Sequence, residues 1–101
     1  MEVTIHYVDG CPHVGETYRL VAEILDASGC QGVLRTALVA SLEEAKDLRF
    51  PGSPTVLVDG VDPFFDQTAP VGLACRLYGS GATRSGVPPR EDLEQALTPS
   101  S

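Results

Sequence analysis

The period of the apolar residues changes at Asp9-Gly10-Cys11-Pro12-His13-Val14, and no other stretch constrains the fold as much. Before it, Glu2-Val3-Thr4-Ile5-His6-Tyr7-Val8 alternates, with Val3, Ile5 and Tyr7 on one face and Thr4, His6 and Val8 on the other, which predicts a first strand. After it, Val14, Tyr18, Val21 and Leu25 recur at helical spacing, with Leu20 and Ile24 widening the stripe. That predicts a helix to about Ser28, buried on more than one side and with Tyr18 in its core face. Gly29 suits its end as a residue able to take the left-handed conformation. Gly32 then leads into Val33-Leu34-Arg35-Thr36-Ala37-Leu38-Val39, a second strand that a helical crossover sets parallel to the first.

The junction also presents a thiol. Cys11 is expected in the first turn of the helix, facing backbone N–H groups without intrahelical partners and the positive end of the macrodipole, a setting that favours thiolate over thiol. Pro12 suits the first helical position, since it has no N–H to leave unbonded and its φ is already helical. Asp9 is either a helix cap or a like charge that opposes thiolate formation. His6, mid-strand, reads as a packed or edge residue.

Charge and length bound the possible partners. The 101 residues, 43% of them hydrophobic, are expected to form one domain, 1–101, with a frayed tail at 98–101. A net charge of −7, with scattered basic residues, argues against nucleic acid or an anionic membrane surface. No signal-peptide pattern precedes the first strand, and no run approaches the roughly 20 apolar residues of a membrane span. A cytoplasmic location is therefore expected. Three cysteines at irregular spacing do not form a secreted disulfide framework, and no Cys/His cluster has structural-zinc spacing. No metal and no resident cofactor is expected.

Further along, Ser41 with Glu44 forms a capping-box pattern that opens a short helix, Leu42 to Leu48, whose Glu43, Glu44 and Asp47 make a solvated acidic face. Phe50-Pro51-Gly52-Ser53-Pro54 reads as a loop and Thr55-Val56-Leu57-Val58 as a short strand ending in the turn pair Asp59-Gly60. Val61 to Val71 reads as a connection wider than a two-residue hairpin. Gly72-Leu73-Ala74-Cys75-Arg76-Leu77-Tyr78 alternates again and is the candidate fourth strand. Gly79 to Pro89 has loop composition. Arg90 to Leu97 is a final helix with Leu93, Ala96 and Leu97 facing inward. The order is β-α-β-α-β-β-α, a small α/β domain with a mixed four-stranded sheet flanked by helices.

A Cys-Pro pair at the start of the first helix, with Ser53-Pro54-Thr55 opening a strand about forty residues later and Val58-Asp59-Gly60 after it, resembles the thioredoxin and glutaredoxin superfamily. More closely, Gly-Cys-Pro-His, Gly-Ser-Pro-Thr-Val, Val-Asp-Gly and Cys-Arg-Leu-Tyr are similar to short bacterial proteins labelled thioredoxin-like or alkylmercury lyase. The resemblance implies a cis Pro54 lying against Cys11, with Ser53, Pro54 and Thr55 supporting the site and offering an edge for an extended thiol substrate. It also implies that Cys11, Pro12 and His13 form the catalytic group, His13 helping to stabilise the thiolate.

The departure from the family matters as much. A resolving cysteine would stand three residues after Cys11, and Val14 stands there instead. Cys30 is about 27 Å away along the helix, whereas a disulfide needs Cα atoms about 5.5 Å apart. Cys75 falls roughly 10 Å short of the active end of its strand and stays open as a second thiol. Three functions follow as expectations. One is monothiol exchange, in which Cys11 attacks a small or protein-borne disulfide and an external low-molecular-weight thiol resolves it. Another is soft-metal or organomercurial handling by Cys11 and Cys75, with Asp9 or His13 as proton donor. The last is a silent binding module presenting Phe64-Phe65. The oligomeric state is left open.

Overall fold

The computed structural model describes residues 2–27, 29, 32–64, 71–73, 76, 78 and 86–97. Its elements follow the α/β order: β1 Glu2–Tyr7, α1 Val14–Ala27, β2 Val33–Leu38, α2 Leu42–Leu48, β3 Thr55–Val58 and α3 Arg90–Leu97. The strands form a mixed sheet in the order β2-β1-β3. β1 pairs in parallel with β2, Val3 opposite Leu34 and Ile5 opposite Thr36, as the crossover predicts. β3 runs antiparallel to β1, with His6 opposite Thr55 and Val3 opposite Val58.

Four strands were expected and three are present among the described residues. The candidate fourth, 72–78, includes positions 74, 75 and 77, which lie outside them; Gly72, Leu73 and Arg76 belong to no strand, and Tyr78 makes only an isolated bridge. The hydrogen bonding supplies the reason. Gly72 donates its N–H to the Phe50 carbonyl and Arg76 to the Ser53 carbonyl, so these two described residues bond to the loop ahead of β3. On the far side, Asp59 and Gly60 both take positive φ, 51° and 83°, and Val58 and Val61 exchange both backbone bonds across them. This is the two-residue hairpin geometry favoured by Asp-Gly, and it ends after a single bridge at Val61.

The two faces of the sheet are covered differently. On one, Val3, Ile5 and Val56 pack with Val21, Ile24 and Leu25 of α1 and Leu93 and Leu97 of α3, all buried. At about 25 cal/mol per Å² of apolar surface removed from water, this cluster is the main source of stability. On the other face a smaller cluster, Val39, Ala45 and Phe50 with Val8 against it, seats α2. The α1 stripe is rotated from the expected one. Thr17 is buried in it, and Tyr18, expected in the core, is 43% exposed. The buried set 17, 21, 24 and 25 is centred on one side of the helix, which leaves position 18 at its margin.

Local signals explain the helix ends. Ser41 caps α2, its Oγ accepting the Glu44 N–H at 3.1 Å, while Glu44 Oε2 accepts the Ala40 N–H at 3.4 Å. Arg49 closes α2 in the left-handed conformation, and the next residue, Phe50, returns its N–H to the Ala45 carbonyl and is buried. Leu93 and Leu97 of α3 are buried as expected, with Ala96 half-buried. Arg90 bonds Glu94 at 3.0 Å and Glu23 of α1 at 3.2 Å, exposed pairs that orient α3 more than they stabilise it. Among the described residues no helix is long and apolar enough to cross a membrane. The expected tail, 98–101, lies outside the described residues.

Candidate functional site

Cys11 stands on a turn rather than in the helix. The Thr17 N–H donates to the His13 carbonyl at 3.0 Å, so His13 is the cap of α1 and Pro12 lies outside the helix, not at its first position. The Cys11 N–H donates to the Val8 carbonyl at 3.2 Å, closing a four-residue turn with Gly10 at φ 78° in its third place. A type II turn needs positive φ there, which glycine meets without steric cost. The local preference of Asp9-Gly10 for a turn thus delays the helix by two residues, from Pro12 to Val14. Asp9 is exposed in this turn and caps nothing. The Cys11 thiol is free and half-buried.

The turn is tied to the loop that opens β3. Ser53, fully buried, accepts the Val8 N–H on its Oγ at 3.1 Å, so one residue, Val8, bonds both the Cys11 turn and Ser53. The Ser53–Pro54 peptide bond is cis, as expected. Thr55, also buried, donates its hydroxyl to the Gly52 carbonyl. The expected open edge is not found here. The Ser53 carbonyl accepts the Arg76 N–H at 2.9 Å, the Pro54 carbonyl accepts the Tyr78 hydroxyl, and Pro54 is fully buried. Ser53 therefore supports the Cys11 turn through Val8, while Pro54 and Thr55 bond within their own loop and to Tyr78.

Behind Pro54 lies a polar network to which sequence reasoning assigned no role. Arg76 and Asp62 form a buried ion pair at 2.8 Å. Asp62 also accepts the Phe64 N–H at 2.9 Å, and Arg76 donates to the Phe64 carbonyl. The Arg76 guanidinium lies 4.7 Å from the centre of the Tyr78 ring, which meets Phe64 edge to face at 5.0 Å. Burial pushes the Tyr78 hydroxyl well above its ordinary range, so it stays a proton donor to Pro54. Phe64 thus packs inward on the core and on Tyr78, so it is not the exposed docking residue expected of a binding module; Phe65 lies outside the described residues. The only advance signal was an Arg and a Tyr in an otherwise apolar alternating run.

His13 is half-buried, and its imidazole lies against the backbone of Gly86, a buried residue four positions before α3. His6 is elsewhere. With Arg49, Phe50, Thr55, Leu57 and Asp62 it lines a cavity of about 370 Å³ on the α2 face, and burial lowers its proton affinity below the ordinary value. Cys30 and Cys75 lie outside the described residues. Among the described residues, no group of three or more His, Cys, Asp or Glu is placed to hold a metal ion.

The chain matches no family model, no curated protein and no solved structure.

Proposed function

We propose that this is a thioredoxin-like protein that carries out thiol–disulfide exchange with one working cysteine, Cys11, in a reducing cytoplasmic setting. The observation that supports the reading is the hydrogen-bonded path Cys11–Val8–Ser53, which ties the backbone of the Cys11 turn to the residue before Pro54, with Cys11 a free, half-buried thiol. In the first step the Cys11 thiolate attacks one sulfur of a disulfide. A Cys11–substrate disulfide forms, the substrate S–S bond breaks, and the second sulfur leaves as a thiolate. In the second step an external low-molecular-weight thiol, itself deprotonated, attacks the substrate sulfur of that mixed disulfide. Cys11 leaves as thiolate, and the substrate sulfur departs bonded to the small thiol. No electrons are gained or lost beyond the exchange of one disulfide for another.

Val14 makes the external thiol a requirement, since the residue that would supply a local resolving sulfur has none. Pro12 keeps the chain between Cys11 and the helix cap short and stiff, and His13 supplies a polar group two residues after the thiol, as Asp9 does two residues before it. Soft-metal handling is the weaker reading, because it rests on Cys75.

The test is turnover of a peptide–glutathione mixed disulfide with excess glutathione, followed by release of the peptide thiol. Wild type should turn over and Cys11→Ser should not. Equal rates for the two proteins, or an iodoacetamide rate at Cys11 no greater than that of an unstructured peptide thiol, would refute the reading.

A further inference from the structure

A β-carbon built on Gly86 would stand 2.7 Å from His13 Cγ and closer still to His13 Cδ2 and Nε2. Real side chains do not make such contacts, so no residue but glycine fits opposite this imidazole as it is placed. The backbone gives Gly86 no other reason to be glycine. Its φ is not positive, in contrast to Gly10, Gly29, Gly52 and Gly60, so an alanine could adopt its conformation. Gly86 is buried and Pro88, two residues on, is fully buried, so the backbone at 86 is held in place and the ring would have to give way.

His13 has limited choice of where to go. Its carbonyl is fixed as the first acceptor of α1, so the ring can move only by rotation about its two side-chain bonds. The seat for that ring is made by a segment distant in sequence, just ahead of α3, whereas Cys11 is two residues away, at the end of the preceding turn. A missing side chain at 86 thereby decides which way the imidazole two residues along from Cys11 points.

We propose that Gly86 is a positioning residue for His13, a glycine because the imidazole occupies the space that a side chain would fill. Its bearing on Cys11 rests on the thiol-exchange reading above; the seat itself does not.

The test uses the full chain with Gly86→Ala, His13→Ala and the double variant. Proton–carbon correlation spectra of the two histidine rings come first, because His6, on the other side of the fold, is an internal control. In Gly86→Ala the His13 ring signals should move and those of His6 should stay; unmoved His13 signals overturn the proposal. Alkylation of Cys11, followed by mapping of the labelled peptide, comes second. Gly86→Ala should slow it by the same factor as His13→Ala, to within about twofold, and should add no further slowing when His13 is already alanine. Equal slowing with and without the ring overturns the positioning role. If the His13 signals move but His13→Ala leaves alkylation unchanged, the seat stands and the role of His13 at the thiol falls. Should Gly86→Ala fold poorly, the double variant must regain stability, since alanine at 13 vacates the space; equal loss in both backgrounds overturns the proposal.

Discussion

The two faces of the sheet are held by different means. The face under α1 and α3 is closed by aliphatic side chains from strands and helices, eight of them buried. The face under α2 has three buried apolar residues, a cavity of about 370 Å³, and an Arg76–Asp62 pair at its margin. Burial of apolar area is non-directional, whereas an ion pair, a cap or a serine bond works only in one geometry. The side groups that place Cys11, Ser53 and Pro54 are of the second kind. The face rich in burial carries the stability, and the polar network on the other holds positions.

The largest expected effect tests that division directly. Asp62→Ala leaves the buried Arg76 guanidinium without its partner and should cost about 3–5 kcal/mol by urea denaturation. Replacing both partners, Asp62→Leu with Arg76→Met, should recover much of it. A loss for Asp62→Ala below about 1 kcal/mol would mean that the pair behaves like an exposed one and does not hold this face. Next comes Leu93→Ala on the packed face, where the deleted side chain leaves a cavity in the core and about 2–5 kcal/mol should be lost in the same assay.

Thr17→Val should act in the opposite direction. The Thr17 hydroxyl is buried with no hydrogen-bond partner among the described residues, and an isosteric methyl removes its desolvation cost, so stability should rise by about 1 kcal/mol. A drop would show that the hydroxyl is bonded in solution.

The smallest effect is a pH dependence. Burial holds His6 below its ordinary 6.5, so as pH falls through that value the unfolded chain takes up a proton that the folded chain resists. Stability therefore rises with pH across this window and is lost on acidification below it. Unfolding midpoints from about pH 7.5 to pH 5 should fall less steeply in His6→Asn than in wild type; identical slopes would remove His6 from the account.

The same contrast explains what could be read in advance. Ser41 before Glu44, Asp59-Gly60 after an apolar run, and the alternation of β1 are local patterns, and each element they predict is found within a residue or so. Tyr18 was misplaced because Thr17 fits the same helical spacing equally well, and only the packing of α1 on the sheet chooses between them. Pro12 was misplaced because Asp9-Gly10 makes a turn first. The candidate site divides in the same way. Cys11 and the cis bond at Pro54 were legible, since each has a short motif. Asp62, Arg76, Tyr78 and Gly86 were not, since each acts on a residue 14 to 73 positions away, and such long-range contacts leave no period in the chain.

The opposite end of β1 has a practical consequence. Glu2 donates its N–H to Asp59 Oδ1 at 2.8 Å, and its carbonyl accepts the Asp59 N–H at 2.7 Å, which pins the first residue of β1 beside the hairpin. From there the strand carries the chain roughly 17 Å before the Cys11 turn begins. A purification handle, surface tether or fluorescent reporter joined ahead of Glu2 therefore emerges at the pole of the sheet remote from the thiol. Immobilised through that end, the protein would present Cys11 outward to whatever thiol or disulfide is flowed across it.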